Sequence, residues 1–167
     1  MQAIATWKGG YETQLEDGRS HTVTVDLPVD EGGRSVGTSA LELGVLSLAG
    51  CISTIFALIA KRRRLSFEGL RVTLEAERPE GAPTITRVHG TVRVRTVADP
   101  SEVETTLRLT MKTCPMGVIF ERAQIPMDVR PIVEAPRVSG RLSRGALGET
   151  AEPLLRGNDL SGRPPPG

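Results

Sequence analysis

Apolar residues crowd most densely between Ser39 and Arg64 (SALELGVLSLAGCISTIFALIAKRRR), and no charge interrupts the 18 positions from Leu43 to Ala60. Leu41, Val45, Leu48, Ile52, Ile55 and Ile59 follow helical spacing, while Leu43, Leu46, Phe56 and Leu58 fill the other sides. This pattern predicts a long helix that is apolar all round and therefore buried all round. Ser39 followed three residues later by Glu42 is a capping box, and Lys61 to Arg64 suit the negative end of the helix dipole. A membrane span is the rival reading of such a run. The run is at the minimum length and holds Gly44, Ser47, Gly50, Ser53 and Thr54, so a core helix is expected and no membrane.

Elsewhere the period changes from helical to twofold. Residues 2–8 and 11–16 predict two strands joined at Gly9-Gly10, and His21 to Leu27 a third, with Val23, Val25 and Leu27 on one face and Thr22, Thr24 and Asp26 on the other. A glycine-rich loop, 29–38, then leads to the helix. Leu70–Arg78 and Thr84–Val97 read as a hairpin around Pro79–Pro83, with a change of apolar phase between Ile85 and Val88 that suggests a bulge. Asp99-Pro100-Ser101-Glu102 opens a second helix, striped by Val103, Leu107 and Met111, that ends near Thr113. Proline disfavours helix at the residue before it, which makes Cys114 the N-cap of a new short helix, Pro115–Arg122. A final strand is expected over 125–133. These strands need something apolar to cover, and the long helix is what they are expected to wrap.

Composition narrows the function. The chain has 167 residues, enough for one domain with a core. Its 21 basic and 20 acidic side chains nearly cancel, and aromatics are only 3%, which argues against nucleic-acid binding. Residues 137–167 contain six glycines and four prolines without apolar periodicity and read as a disordered tail behind a domain of residues 1–136. The N-terminus carries no secretory pattern, and two cysteines without one suggest a reducing, cytoplasmic setting.

Those two cysteines, Cys51 and Cys114, are the candidate chemistry. A thiolate attacks a peroxide, becomes a sulfenic acid and condenses with a second thiol. Cys51 sits inside the apolar helix, where desolvation raises a thiol pKa unless a cation is near. Cys114, at a helix N-terminus, has the more obvious local activation. Two buried, inert cysteines are the competing reading. No Cys or His pair has zinc-ligand spacing, and no glycine fingerprint for a nucleotide appears, so neither metal nor cofactor is expected. His21 and His89 fall on polar strand faces.

Two separated motifs then agree with one family. Residues 37–51, GTSALELGVLSLAGC, resemble the first signature of the OsmC/Ohr proteins (osmotically inducible protein C and organic hydroperoxide resistance), and Thr113-Cys114-Pro115-Met116 resembles the second. The order of elements is similar over residues 3–134. The resemblance implies an α+β fold, antiparallel sheets wrapping a long buried central helix, in an intertwined homodimer with two central helices and active sites at the subunit interface. It implies a thiol peroxidase acting on organic hydroperoxides, with Cys51 peroxidatic, Cys114 resolving, and an external thiol, in part of the family a dihydrolipoyl group, as reductant. Three departures matter. Ser39-Ala40 stands where the family often has proline, and the first hairpin turn, Lys8–Tyr11, lacks the thiolate-stabilising arginine of the hydroperoxide subgroup. Arg34 and Arg19 are the substitutes to examine. Glu42, which could orient such an arginine, lies nine residues before Cys51 on the opposite helix face, and capping is its other role. The alternative function is a non-catalytic, small-molecule-binding dimer with structural cysteines.

Overall fold

The computed structural model describes residues 1–137, so the expected tail lies outside the described residues. Two three-stranded sheets and three helices make up the fold. Strands β1 (Ile4–Gly9), β2 (Glu12–Glu16) and β3 (Thr22–Val25) form an antiparallel meander. Gly9 and Gly10 turn the first hairpin with φ of 127° and 55°, and the Trp7 indole donates to the Gly10 carbonyl at 2.9 Å. A side chain at Gly9 would be strained in that conformation.

A short 3-10 turn (Val29–Glu31) leads into α1 (Ala40–Arg63). The loop between them is tied by Asp26, whose carboxylate accepts the backbone N–H groups of Leu27, Arg34 and Val36 at 2.9, 2.9 and 3.3 Å. Alternation places Asp26 on the wet face of β3; it is buried instead, because the loop folds its amides onto that one side chain. Burial alone would raise its pKa, but the three N–H donors bring it below the usual carboxylate value.

The capping box at the start of α1 is present in full: Ser39 Oγ accepts the Glu42 N–H at 3.2 Å, and Glu42 accepts the Ser39 N–H at 2.8 Å. The far end closes on Arg64 in the left-handed region (φ 59°), with Leu65 tucked back to the Ala60 carbonyl at 2.9 Å.

Strands β4 (Gly69–Glu77) and β5 (Arg87–Arg95) pair antiparallel without interruption from Gly69–Arg95 to Glu77–Arg87. The expected bulge near Ile85 is absent from this ladder. Ile85 is a buried residue of the connection, and the strand starts two residues later, which accounts for the change of phase. Helices α2 (Pro100–Thr113) and α3 (Pro115–Arg122) then carry the chain back to β6 (Met127–Glu134), which lies parallel to β5. The second sheet is therefore mixed and not antiparallel throughout. The two helices form the long crossover that a parallel pair requires. Pro131, which cannot donate to a ladder, is tolerated because β6 is an edge strand.

The core lies between this second sheet and the helices. Leu48, Ile52, Phe56 and Ala60 of α1 meet Val88, Val92 and Val94 of β5, Val103 and Leu107 of α2, and Phe120 of α3. Phe56 meets the ring of Phe67 edge-on, with centroids 6.0 Å apart. No side chain of β1–β3 joins this cluster.

Complete burial of α1 is not met within one chain. Its buried stripe is one residue wide, at i, i+4, i+8 and i+12, while Leu46 and Leu58 on the other side are 57% and 48% exposed. One sheet and two short helices cover one face of a 24-residue helix and no more. By length and composition α1 is also apolar enough to cross a membrane, with mean hydropathy 2.2 over 18 residues, a test that core helices pass as well.

Candidate active site

The site forms where α1 passes the junction of α2 and α3. Along α2 the buried positions are Val103, Thr106, Leu107 and Thr110, a helical stripe that continues without a break into Cys114. The two threonines satisfy their hydroxyls on the helix itself, Thr106 to the Glu102 carbonyl at 2.8 Å and Thr110 to the Thr106 carbonyl at 2.9 Å. They can therefore be buried at little polar cost. The sequence stripe of Val103, Leu107 and Met111 omitted both.

Cys114 joins the two helices. Its N–H donates to the Thr110 carbonyl at 2.8 Å, the last bond of α2, and its carbonyl accepts the Val118 N–H at 2.9 Å, the first of α3. Its Sγ accepts the Gly117 N–H at 3.4 Å, so sulfur does what an oxygen does at most N-caps. Pro115 explains the break: it has no N–H to continue α2, and it holds Cys114 extended, with ψ of 115°.

Both cysteines are free thiols, Cys114 fully buried and Cys51 half-buried on the shoulder of the α1 stripe. They are neighbours across the α1–α3 packing. Burial first, and the adjoining Cys51 thiol second, push the Cys114 pKa up to about 11; the amides of Gly117 and Met116 pull the other way and lose. The local expectation that a helix N-terminus activates Cys114 is thus overturned. Desolvation outweighs the partial charge of an eight-residue helix. At neutral pH Cys114 is a thiol and a poor nucleophile.

The other expected site residues stand elsewhere in the chain. Glu42 spends its carboxylate on the Ser39 N–H, the Ser39 hydroxyl and the Thr38 hydroxyl, at 2.8, 2.8 and 3.1 Å. These bonds, the Ser39 amide foremost, hold its pKa below the usual glutamate value. It lies about 13 Å along the axis from Cys51. Arg34 pairs with Glu12 of β2. Arg19 pairs with Asp17 in the β2–β3 turn, at 3.0 Å. Among the described residues no ion pair or hydrogen bond brings either guanidinium to Cys51. Nor, among the described residues, do three or more His, Cys, Asp or Glu side chains converge in a way that could hold a metal. His21, in the β2–β3 turn, pairs with Asp17, and His89 of β5 with Glu75 and Glu77.

The capping assignment makes a prediction. Ser39→Ala costs about 1 kcal/mol, read as a lower urea midpoint. The folded pKa of Glu42 is depressed, so its stability is present above the unfolded glutamate pKa and lost as pH falls through the folded value. The penalty of Ser39→Ala therefore shrinks in acid, and Glu42→Gln leaves Cys51 alkylation unchanged. A slowed alkylation in Glu42→Gln would return Glu42 to the site.

A family model described as OsmC-like protein matches residues 30–130, a span that includes both cysteines and all three helices. The chain belongs to the OsmC-like family. Its fold is shared by solved structures at low identity. A putative osmotic stress induced and detoxification response protein from Psychrobacter arcticus superposes with TM-score 0.68 at 20% identity, covering 80% of this chain and 96% of that one. An organic hydroperoxide resistance protein OsmC from Legionella pneumophila gives 0.63 at 19%, covering 78% and 96%. A putative organic hydroperoxide resistance protein from Vibrio cholerae, with captopril bound in one of its active sites, gives 0.60 at 18%, covering 78% and 91%. No curated protein sequence matches significantly.

Proposed function

We propose that this OsmC-like protein is a cysteine-based peroxidase that reduces organic hydroperoxides. The observation that carries the reading is the pairing of two free thiols from separate elements, one half-exposed and one buried and protonated. The Cys51 thiolate attacks the distal oxygen of the hydroperoxide. The O–O bond breaks, the alkoxide takes a proton and leaves as an alcohol, and Cys51 becomes a sulfenic acid. Cys114 sulfur then attacks the Cys51 sulfur; an S–S bond forms, and the departing hydroxide takes the Cys114 proton to leave as water. Oxidation of Cys51 changes the sulfur neighbour that, after burial, helps hold the Cys114 proton. An external dithiol, such as a dihydrolipoyl group, supplies two electrons to restore both thiols.

The reading includes a homodimer. The uncovered side of α1, with Leu46 and Leu58, and the meander outside the core both offer apolar surface that a second copy would bury. A groove of about 430 Å³ between α1 and α2, lined by Ile55, Leu58, Ile59 and Leu109, lies on that side. A cation for Cys51 comes, on this reading, from the second copy. The setting is cytoplasmic, where free thiols persist, with neither nucleic acid nor membrane as partner.

The test is intact mass and peptide mapping of the reduced protein after one equivalent of an alkyl hydroperoxide, with its sedimentation measured beforehand. The expected product has lost two hydrogens and carries a Cys51–Cys114 linkage, and Cys114→Ser traps the sulfenic acid at Cys51. If both thiols stay reduced while the peroxide survives, the protein is a non-catalytic binding dimer with structural cysteines. A monomer at micromolar concentration would remove the second copy from the reading.

A further inference from the structure

The outer face of the second sheet, turned away from the helices, is patterned unevenly. Buried Val88, Val92 and Val94 alternate with outward Arg87, His89, Thr91, Arg93 and Arg95 along β5. At one end cross-strand neighbours are complementary: Glu77 faces Arg87, and Glu75 faces His89, which faces Asp128. At the other end the rule fails. Arg71 and Arg93 are direct partners in the antiparallel ladder, and Arg95 follows on the same face. Like charges placed opposite one another destabilise a sheet. Departures of this kind from local consistency are expected at functional or strained sites.

Arg71, Arg93, Arg95 and Arg137 surround a depression of about 400 Å³ whose one carboxylate, among the described residues, is Glu134. Glu134 lies 3.4 Å from Arg93 Nη1 and 3.6 Å from Arg95 Nη2, so four positive charges meet one negative, an excess of three. The pocket floor is shaped for the cation. Arg95 pairs across the ladder with Gly69, and a Cβ at Gly69 would stand 3.2 Å from Arg95 Nη1 and 3.7 Å from its Cζ. Glycine lets the guanidinium lie flat against the β4 backbone, and only a quarter of the Arg95 side chain reaches solvent.

We infer that this depression binds the phosphate group of a small soluble phosphate ester or pyrophosphate. Guanidinium forks match phosphate oxygens two at a time. A phosphate carries about two negative charges at pH 7, which suits the excess better than a single carboxylate. No aromatic side chain lines the depression, so recognition is of the phosphate and not of a stacked base. The inference is independent of the cysteine chemistry.

Calorimetric titration of the full chain with inorganic pyrophosphate, at constant ionic strength, tests it. Saturable one-site binding is expected, weakened about tenfold by Arg71→Gln and again by Arg93→Gln. In phosphate-free buffer Arg71→Gln is expected to raise Tm, and pyrophosphate to erase that difference. Phosphatidic-acid vesicles form a parallel arm. Undiminished affinity in both variants, heats no larger than those of matched chloride, or binding to vesicles alone would each overturn the inference.

Discussion

Replacing Cys51 by serine is expected to lower hydroperoxide reduction by at least about a thousandfold, because a serine hydroxyl has no comparable anion at neutral pH. The neighbouring Cys114 cannot take over. It is fully buried, and its proton is held to a pKa of about 11. Cys114→Ser should behave differently. The first oxidation proceeds at an undiminished rate, and turnover then depends on whether an added thiol reaches the sulfenic acid directly. Stopped-flow consumption of an alkyl hydroperoxide separates these phases. Equal initial rates in Cys51→Ser and wild type would end the assignment of Cys51 as nucleophile. Equal losses in both single variants would mean that the thiols act as one unit from the start.

A larger effect on folding is expected from Phe56→Ala. Phe56 is fully buried at the centre of the α1 stripe, between Ile52 and Ala60, and packs edge-on against Phe67. Truncating a buried phenylalanine costs about 3–5 kcal/mol through lost transfer energy and the cavity left behind. Domains have about 5–15 kcal/mol in total, so the variant should be close to unfolding at room temperature. Val97→Ala is the control: Val97 is 86% exposed and should change stability by less than about 0.5 kcal/mol. Urea midpoints of the two variants provide the comparison. A loss below about 1 kcal/mol in Phe56→Ala would show that the α1 stripe is not the centre of the core.

What could be read from the chain alone was what is decided locally. Ser39 and Glu42 cap each other across three residues, and Cys114-Pro115 breaks one helix and starts the next across two, so both features are visible in a short window. Pairing between distant segments was not visible. Nothing in Ile125–Val133 distinguishes a parallel neighbour from an antiparallel one, since the apolar alternation is the same for both. Asp26 was misplaced because twofold alternation has no place for a carboxylate that collects three amides of a loop ten residues long. For α1, hydropathy counts apolar sides but does not say what covers them. The site divides along the same line. Both sulfurs were identifiable, and their proximity was not, because it depends on α3 folding back onto α1. Arg34, in the loop before α1, and Arg19 are the candidates to replace the arginine missing from the first hairpin turn, and each instead pairs with a carboxylate beside it in space.

The double role of Cys114 in the backbone has a mechanical consequence. The sulfur atom is also the hook from which the first turn of α3 hangs, through the Gly117 amide. Any change of charge or bonding at that atom alters the acceptor that this amide sees. The Gly117 N–H resonance is therefore a built-in gauge, legible in a nitrogen–proton spectrum, of the oxidation state of a thiol three residues away.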